Sequence, residues 1–417
     1  MRVVVIGAGI VGACTAIELL RDGHHVTFIE PGEPGGEQAA SHGNGAWLSS
    51  HSVVPMSMPG LWRKIPGMLM DPLGPLTIRW THLPRLLPWL VRFVWAGATV
   101  AKVEATARSL APLLADSPGR HLKLASEAGV PELIRRTGLL HVFPNREAFA
   151  AEALGWRLRR DNGITWTELD ANELRQREPG LSDRYSFGVL VDGVGHCSDP
   201  GGYVAALVRH AEVLGALRVT ARATGFVIAD ERLHAVNTSS GPIACERAVI
   251  AAGIHAKALA AQAGDHVSLE AERGYHVQIR DPEVAPRTPV MPSDGKMANT
   301  LTRGGLRAAG QVELASLDAA PNWARAEVLL VHLLNSFPDL PRAMPANRVT
   351  RWLGHRPSTP DGLPVIGPAR ASSDIVHAFG HGHVGLASGA ATGRVVADLV
   401  SGMAPSVPIA GFSARRF

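Results

Sequence analysis

The sequence predicts an α/β fold, with a parallel sheet in one part of the chain and an α+β second domain inserted into it. Three observations lead there. Arg2-Val3-Val4-Val5-Ile6 is a β-branched run of the kind that forms a buried parallel strand. Ala13 to Leu20 reads as a helix, and after a turn at Asp22-Gly23 comes a second apolar run, His25-Val26-Thr27-Phe28-Ile29. Far along the chain, Arg247-Ala248-Val249-Ile250-Ala251-Ala252-Gly253 repeats the pattern of a buried strand ending in glycine.

Between the first strand and helix stand Gly7-Ala8-Gly9-Ile10-Val11-Gly12. Gly7 permits a tight turn, Gly9 lets backbone approach a pyrophosphate, and Gly12 lets the helix pack on the strand. The free N–H groups at Ile10 and Val11, at the positive end of the helix dipole, face phosphate. Glu30, ending the second strand, accepts hydrogen bonds from ribose hydroxyls and disfavours a 2′-phosphate. Strand, glycine turn, helix, strand and acid together predict a Rossmann-type dinucleotide site. The motif alone does not choose between FAD and NAD.

A chain of 417 residues can hold two domains with sizeable cores. Hydrophobic residues at 46% and charged residues at 19% describe a globular protein. The net charge of +4 is modest and no Lys/Arg run exists, so nucleic acid is not an expected partner. Cys14, Cys197 and Cys245 form no CxxC and no zinc spacing; they suit a reducing compartment, with Cys14 a small buried thiol in the first helix. The first strand starts at Arg2, so no signal peptide is expected. No apolar run reaches the roughly 18 residues of a membrane span. A cytoplasmic protein is expected.

After a loop over Pro31–Gly36, the small residues around Ser41-His42-Gly43-Asn44-Gly45 would let backbone pass close to a flat ligand, with Ser41 and Asn44 able to bond phosphate or ring edges. An ordinary glycine-rich connection has the same composition. Pro55 to Ala98 is rich in Pro, Met, Trp and Leu, and predicts short helices broken by prolines. That stretch reads either as second-domain core or as a lid or membrane-facing surface. A helix is predicted over Ala98–Ala128, a strand at Leu139–Phe143 and a helix over Ala148–Asp161. A strand at Trp166–Leu169 runs into a helix capped by Asp170, and Phe187–Val191 with Gly193–Gly195 predicts a hairpin near a domain crossing. Asp199 caps a helix with Pro200 in its first turn, running to about Leu214. Short strands follow at Leu217–Ala221, Gly225–Ala229 and Leu233–Thr238. Gly253 brings backbone against the dinucleotide again. Strands at Arg273–Ile279 and Leu306–Glu313 and a helix over Ala324–Phe337 form a second insertion. The tail carries Gly354–Gly367, then Phe379-Gly380-His381-Gly382-His383-Val384-Gly385 leading into a small-residue helix, Ala387 to Val400.

Three glycine-rich segments, near Gly7, Gly43 and Gly380, suit a ligand with one adenine end and one large flat end. The N–H groups of Gly380 to Gly385, ahead of a helix, can stabilise the negative edge of a reduced flavin, which favours FAD. His381 and His383 also read as a metal pair, but no nearby Cys or acid in sequence completes a site. Arg356, stiffened by Pro357, can hold a carboxylate with two parallel bonds, or be an ordinary ion-pair Arg.

These segments, with Val53–Gly60, Asp71–Arg79, Glu272–Val277 and Ala320-Pro321-Asn322-Trp323, resemble the FAD-dependent D-amino-acid oxidase/glycine oxidase superfamily. Within it the chain resembles the D-amino-acid dehydrogenase branch, and most closely glyphosate oxidoreductase; the likeness spans essentially the whole chain. The resemblance implies a glutathione-reductase-like Rossmann FAD domain (residues 1–54, 195–268 and 346–417) and a mixed-sheet substrate domain (55–194 and 269–345). It implies oxidation of an amine bearing a carboxylate, with Arg356 as the carboxylate clamp and Gly380–Gly385 along the flavin. Tyr275 and His276 fall on a pocket-lining strand, and His276 or His383 is a candidate for ammonium deprotonation. No Cys lies near the C-terminal flavin loop and His42 stands where close relatives carry an aromatic, so non-covalent FAD is expected.

Two substrate classes fit: D-amino acids, and N-substituted glycines such as glyphosate, iminodiacetate or sarcosine, the latter favoured if Arg307 or His355 adds a second cation. The electron acceptor is a quinone, reached through the Pro55–Trp95 surface at the inner face of the membrane, or oxygen. The competing reading is a flavoprotein subunit of a larger electron-transfer complex.

Overall fold

The computed structural model describes residues 1–71 and 74–417. Pro72 and Leu73, inside the Pro-rich stretch noted above, lie outside the described residues. Arg2–Ile6 is a strand buried from Val3 onward, flanked in parallel by His25–Ile29 and Arg247–Ile250. Leu217–Val219 and Ile375–Phe379 extend this sheet in parallel, and Val365–Pro368 closes one edge antiparallel. The Ile10–Arg21 helix packs on Gly385–Val400 with little side chain between them. A Cβ at Gly393 would lie 2.7 Å from the Cys14 carbonyl carbon, so only glycine allows this approach.

The second sheet is mixed. Its order runs Val349–Ser358, Glu270–Ile279, Gly305–Leu314, Ala298–Thr302, Val290–Pro292, Leu139–Phe143, Phe187–Val191, Thr167–Leu169, with Leu76–Ile78 beside Gly305–Leu314. Val349–Ser358, which carries Arg356, pairs here rather than with the parallel sheet that takes up the rest of the tail. Two small antiparallel sheets complete the described strands.

Several expectations are corrected. Phe187–Val191 and Gly195–Cys197 do not form a hairpin: the first lies in the mixed sheet, and the second pairs with Trp47–Leu48 and Ile134–Arg135. The helix expected over 98–128 is two, Val100–Leu114 and Ser117–Glu127, because Asp116 turns left-handed (φ 47°) and Pro118 restarts the helix. Ala148–Asp161 is likewise split, into Arg146–Ala150 and Ala153–Asp161. Prolines do not break the helices after Pro55. Leu61–Met70 runs through Pro66, and Leu83–Ala96 holds Pro84 in its first turn, where no N–H is needed, and runs through Pro88. Elsewhere the local signals hold: Asp170 and Glu173 form a reciprocal capping box, and Asp199 caps Pro200–Val213.

Burial holds six imidazoles of the core in the neutral form. Burial lowers His121, His196 and His381 to about 4 and His276 to about 3, and pushes His51 and His141 well below the ordinary range. The unfolded chain takes up these protons as pH falls through about 6.5, while the native protein resists until much lower pH. Stability is therefore full above pH 6.5 and drains as pH drops toward 4, at about 1.4 kcal/mol per pH unit for each such group. Thermal denaturation should show a steep fall in Tm between about pH 7 and about pH 4.5; a flat Tm would contradict this assignment.

Candidate active site

The glycine turn after the first strand is dictated by its neighbours. Gly7 has φ 102°, and a Cβ there would sit 2.5 Å from the Ala251 carbonyl oxygen. A Cβ at Gly12 would lie 1.9 Å from the Gly7 oxygen. At Gly9 it would meet only the Ser41 Oγ, at 3.6 Å. Gly7 and Gly12 thus serve the chain, whereas Gly9 keeps an approach open. Glu30 is held at the end of its strand by the N–H groups of Ala8 (2.8 Å) and Gly32 (3.0 Å). Ser41 Oγ accepts from the Ile10 N–H at 3.2 Å, so its own proton remains free to donate. Gly253 (φ 55°) follows a strand whose Ala251 N–H bonds to Ile6, which sets it beside the Gly7 turn.

Four consecutive carbonyls of the 42–45 loop are gripped by the mixed sheet. Arg307 Nη1 donates to those of His42 (3.2 Å) and Asn44 (3.1 Å), His276 Nδ1 to Gly43 (2.8 Å) and Thr300 Oγ1 to Gly45 (3.0 Å). Gly43 has no room for a Cβ, which would fall 2.3 Å from the Trp352 ring, and Gly45 would meet Ala298. The Asn44 side chain bonds the Ser41 oxygen and the Ala46 N–H, bracing its own loop rather than reaching a phosphate. His42 bonds the Gly35 oxygen. Arg307, lowered to about 10 by burial, is taken up by this grip, and His355 lies on the opposite face of its strand from Arg356; neither stands as a second cation beside Arg356. His276 is stacked on Trp352 and donates from Nδ1, so it anchors the loop.

Side chains alternate along Glu270–Ile279, so Tyr275 and His276 cannot line one pocket. Arg273, Tyr275 and Val277 turn to the far side of the sheet, where the Tyr275 hydroxyl donates to Glu313 and accepts from the Asn322 N–H. Tyr275 is thus placed away from the face carrying Glu272, Gly274 and His276. On the adjoining strand Trp352, Gly354, Arg356 and Ser358 share that face, with Glu272 opposite Arg356 and Gly274 opposite Gly354.

Arg356 lies across Gly274. A Cβ at 274 would be 2.3 Å from the Arg356 Cζ. Its Nη1 donates to the Gln311 carbonyl (2.9 Å) and Nη2 to Gly310 (3.3 Å), where Gln311, at φ 62°, interrupts the register in a bulge that aims both oxygens. Burial pulls the guanidinium below its ordinary range and Glu272 opposes this; it remains cationic near neutral pH. Gly274→Ala displaces the flexible end of Arg356 rather than the backbone. We expect a folded, flavin-bearing protein whose substrate KM rises by about ten-fold or more; an unchanged KM would show that Arg356 tolerates the displacement.

The Phe379–Gly385 segment meets the Arg356 strand through a Gly382 N–H bond to Pro357 (2.9 Å) and a bridge between Ser358 and His381. Gly380 (φ 81°) and Gly382 (φ 50°) bend it. His381 and His383 point apart: His381 is buried on Thr392 (3.1 Å), and His383 Nε2 bonds Glu272 at 2.6 Å. The Gly385–Val400 helix begins at Val384 without a side-chain cap, as does Ile10–Arg21 at Gly9 apart from Ser41. Two uncapped helix starts, an acid fixed at a strand end and an open glycine turn fit a dinucleotide that carries negative charge on its central pyrophosphate and at one ring edge. Gly7, Gly9, Ile10, Val11, Gly12, Glu30 and Ser41 would hold the nucleotide; Gly253 and Gly380, Gly382, Val384 and Gly385 would hold the rest.

A family model described as DAO, FAD dependent oxidoreductase, matches residues 2–399. The chain belongs to that family. It is 60% identical over 416 residues to a D-amino-acid oxidase of Bradyrhizobium diazoefficiens, covering 100% of this chain and 99% of the relative. A D-amino acid dehydrogenase of Cereibacter sphaeroides is 30% identical over 427 residues, at 100% and 95% coverage. The flavoprotein's fold matches the crystal structure of glycine oxidase from Geobacillus kaustophilus, with a TM-score of 0.72 at 23% identity, covering 100% and 99% of the two chains. Sequence reasoning missed Glu272 and Gly274 as members of the site. The signal was available for Gly274, two residues from His276 on one face of the predicted strand; Glu272 lies one residue before that strand's predicted start, and the observed strand begins at Glu270.

Proposed function

We propose that this FAD-dependent enzyme oxidises the Cα–N bond of a D-amino acid to an imine, which water hydrolyses to an oxo acid. Bound FAD, held non-covalently, supplies the two-electron acceptor. The observation that carries the reading is Arg356. Two of its N–H groups are taken by backbone carbonyls, which fixes the guanidinium plane and leaves its other donors for a substrate carboxylate. Orientation of the amine against the flavin then supplies most of the effect. The 60% identical relative's name supports D-amino acids over N-substituted glycines. The test is turnover of matched D and L enantiomers and of sarcosine, with oxo acid assayed; oxidation of sarcosine alone would move the assignment to the glycine derivatives.

The same relative is named an oxidase, which supports oxygen as one acceptor; the other we propose is a quinone, reached from the inner face of a membrane. Leu87, Val91 and Trp95 form an exposed apolar stripe along Leu83–Ala96, and Trp62, Met70 and Trp80 are exposed in the segments that precede it. Arg63 and Lys102 lie against Trp62 and Trp95. Exposed apolar residues with cations beside them suit an anionic lipid surface. The opposite face of this helix reaches the site, since Trp89 Nε1 donates to the Ser358 carbonyl at 3.2 Å. Among the described residues no single helix is long and apolar enough to cross a membrane. Pelleting with anionic vesicles tests the contact; a protein that stays in the supernatant and reduces oxygen rapidly favours oxygen as acceptor.

A further inference from the structure

Glu272 has no assigned part in the chemistry, yet it is an acid only 4% exposed on the face of the sheet that carries Arg356. A buried carboxylate persists only where partners compensate its desolvation. Its bond is to His383 Nε2 at 2.6 Å, and Arg356 stands opposite it on the neighbouring strand, with Ser358 two residues further along. Burial pushes the Glu272 carboxyl up, but His383 and the Arg356 charge outweigh it and hold it below the usual carboxylate range. The neighbouring Arg273 projects to the other face, where it pairs with Glu313 at 3.2 Å, and does not compete.

An ionised carboxylate only accepts hydrogen bonds. In its neutral form His383 therefore carries its proton on Nε2, and Nδ1 presents a lone pair. The ring is reachable, with its side chain 32% exposed, on the glycine-bent segment that precedes the Gly385–Val400 helix. Resting on the function proposed above, we infer that Glu272 is a positioning residue for amine deprotonation: it fixes His383 so that Nδ1 takes the proton of the substrate ammonium. One N–H bond of the ammonium breaks and the Nδ1–H bond forms. The electron pair left on nitrogen is then available to become the second bond of the iminium when the Cα hydrogen leaves with its own pair, for which bound FAD would supply the acceptor. The imidazolium formed is stabilised by the Glu272 carboxylate and returns its proton to water.

The test uses holoenzyme and the Glu272→Gln variant. In the wild type, 15N spectra of labelled histidine, with the His383 signals assigned by their loss in His383→Asn, should show Nε2–H and a bare Nδ1. In Glu272→Gln the acid limb of the kcat/KM profile should move to lower pH by about one unit, and kcat should fall by about ten-fold or more, with KM little changed and flavin content intact. Glu272→Asp should restore part of the limb. An Nδ1–H tautomer in the wild type, or a Glu272→Gln profile lowered uniformly without a moved limb, overturns the inference while leaving the proposed function standing. If no amine reduces the wild-type flavin, the proposed function fails and this inference with it.

Discussion

Replacing Arg356 by alanine should raise the substrate KM by about 100-fold or more while the protein keeps its flavin. A charge-assisted, two-pronged contact to a carboxylate in a partly desolvated site is worth several kcal/mol, and each 1.4 kcal/mol is a factor of ten. The glycine turn and the helix starts that would hold the cofactor make no bond to Arg356, whose partners are the Gly310 and Gln311 carbonyls on the mixed sheet. Arg356→Lys should recover little, because an ammonium cannot keep both carbonyl bonds and still present a planar fork. Steady-state kinetics with flavin absorbance as the control decides it. An unchanged KM would remove Arg356 from the clamp.

The second large effect separates two glycines of one motif. Gly12→Ala should cost about 3 kcal/mol or more and yield little folded protein, because its Cβ would lie 1.9 Å from a backbone oxygen that cannot retreat. Gly9→Ala meets only the Ser41 Oγ at an ordinary 3.6 Å, so that variant should fold and yet bind little flavin. Thermal denaturation and visible absorbance, measured on both variants, distinguish a glycine needed by the chain from one needed by the ligand. Equal losses of stability in the two would contradict the distinction.

Local signals were legible where the chain itself decides the conformation. The strands Arg2–Ile6 and His25–Ile29, the Asp170 and Asp199 caps, and the strand bearing Tyr275 and His276 all follow from period, capping and β-branching. Contacts between distant segments were not legible. Nothing near Arg307 or Thr300 in sequence signals that they grip carbonyls more than 250 residues away. Tyr275 was misplaced because a motif was read as a block, where the two-residue period of a strand sends neighbours to opposite faces. The prolines of Leu83–Ala96 were read as breakers, yet the helix tolerates them because its inner face buries Leu86 and Trp89. Arg356 itself was an ordinary arginine by local context; the resemblance raised it, and the fit over Gly274 gives that role a physical basis.

The central claim is that an amine carrying a carboxylate delivers two electrons to a flavin held by this chain. It is tested most directly by the visible spectrum of the purified protein, mixed anaerobically with single amines. Bleaching of the flavin bands by D-amino acids, and its loss in Arg356→Ala at the same substrate concentration, is the predicted result. A yellow protein that no amine bleaches would contradict it.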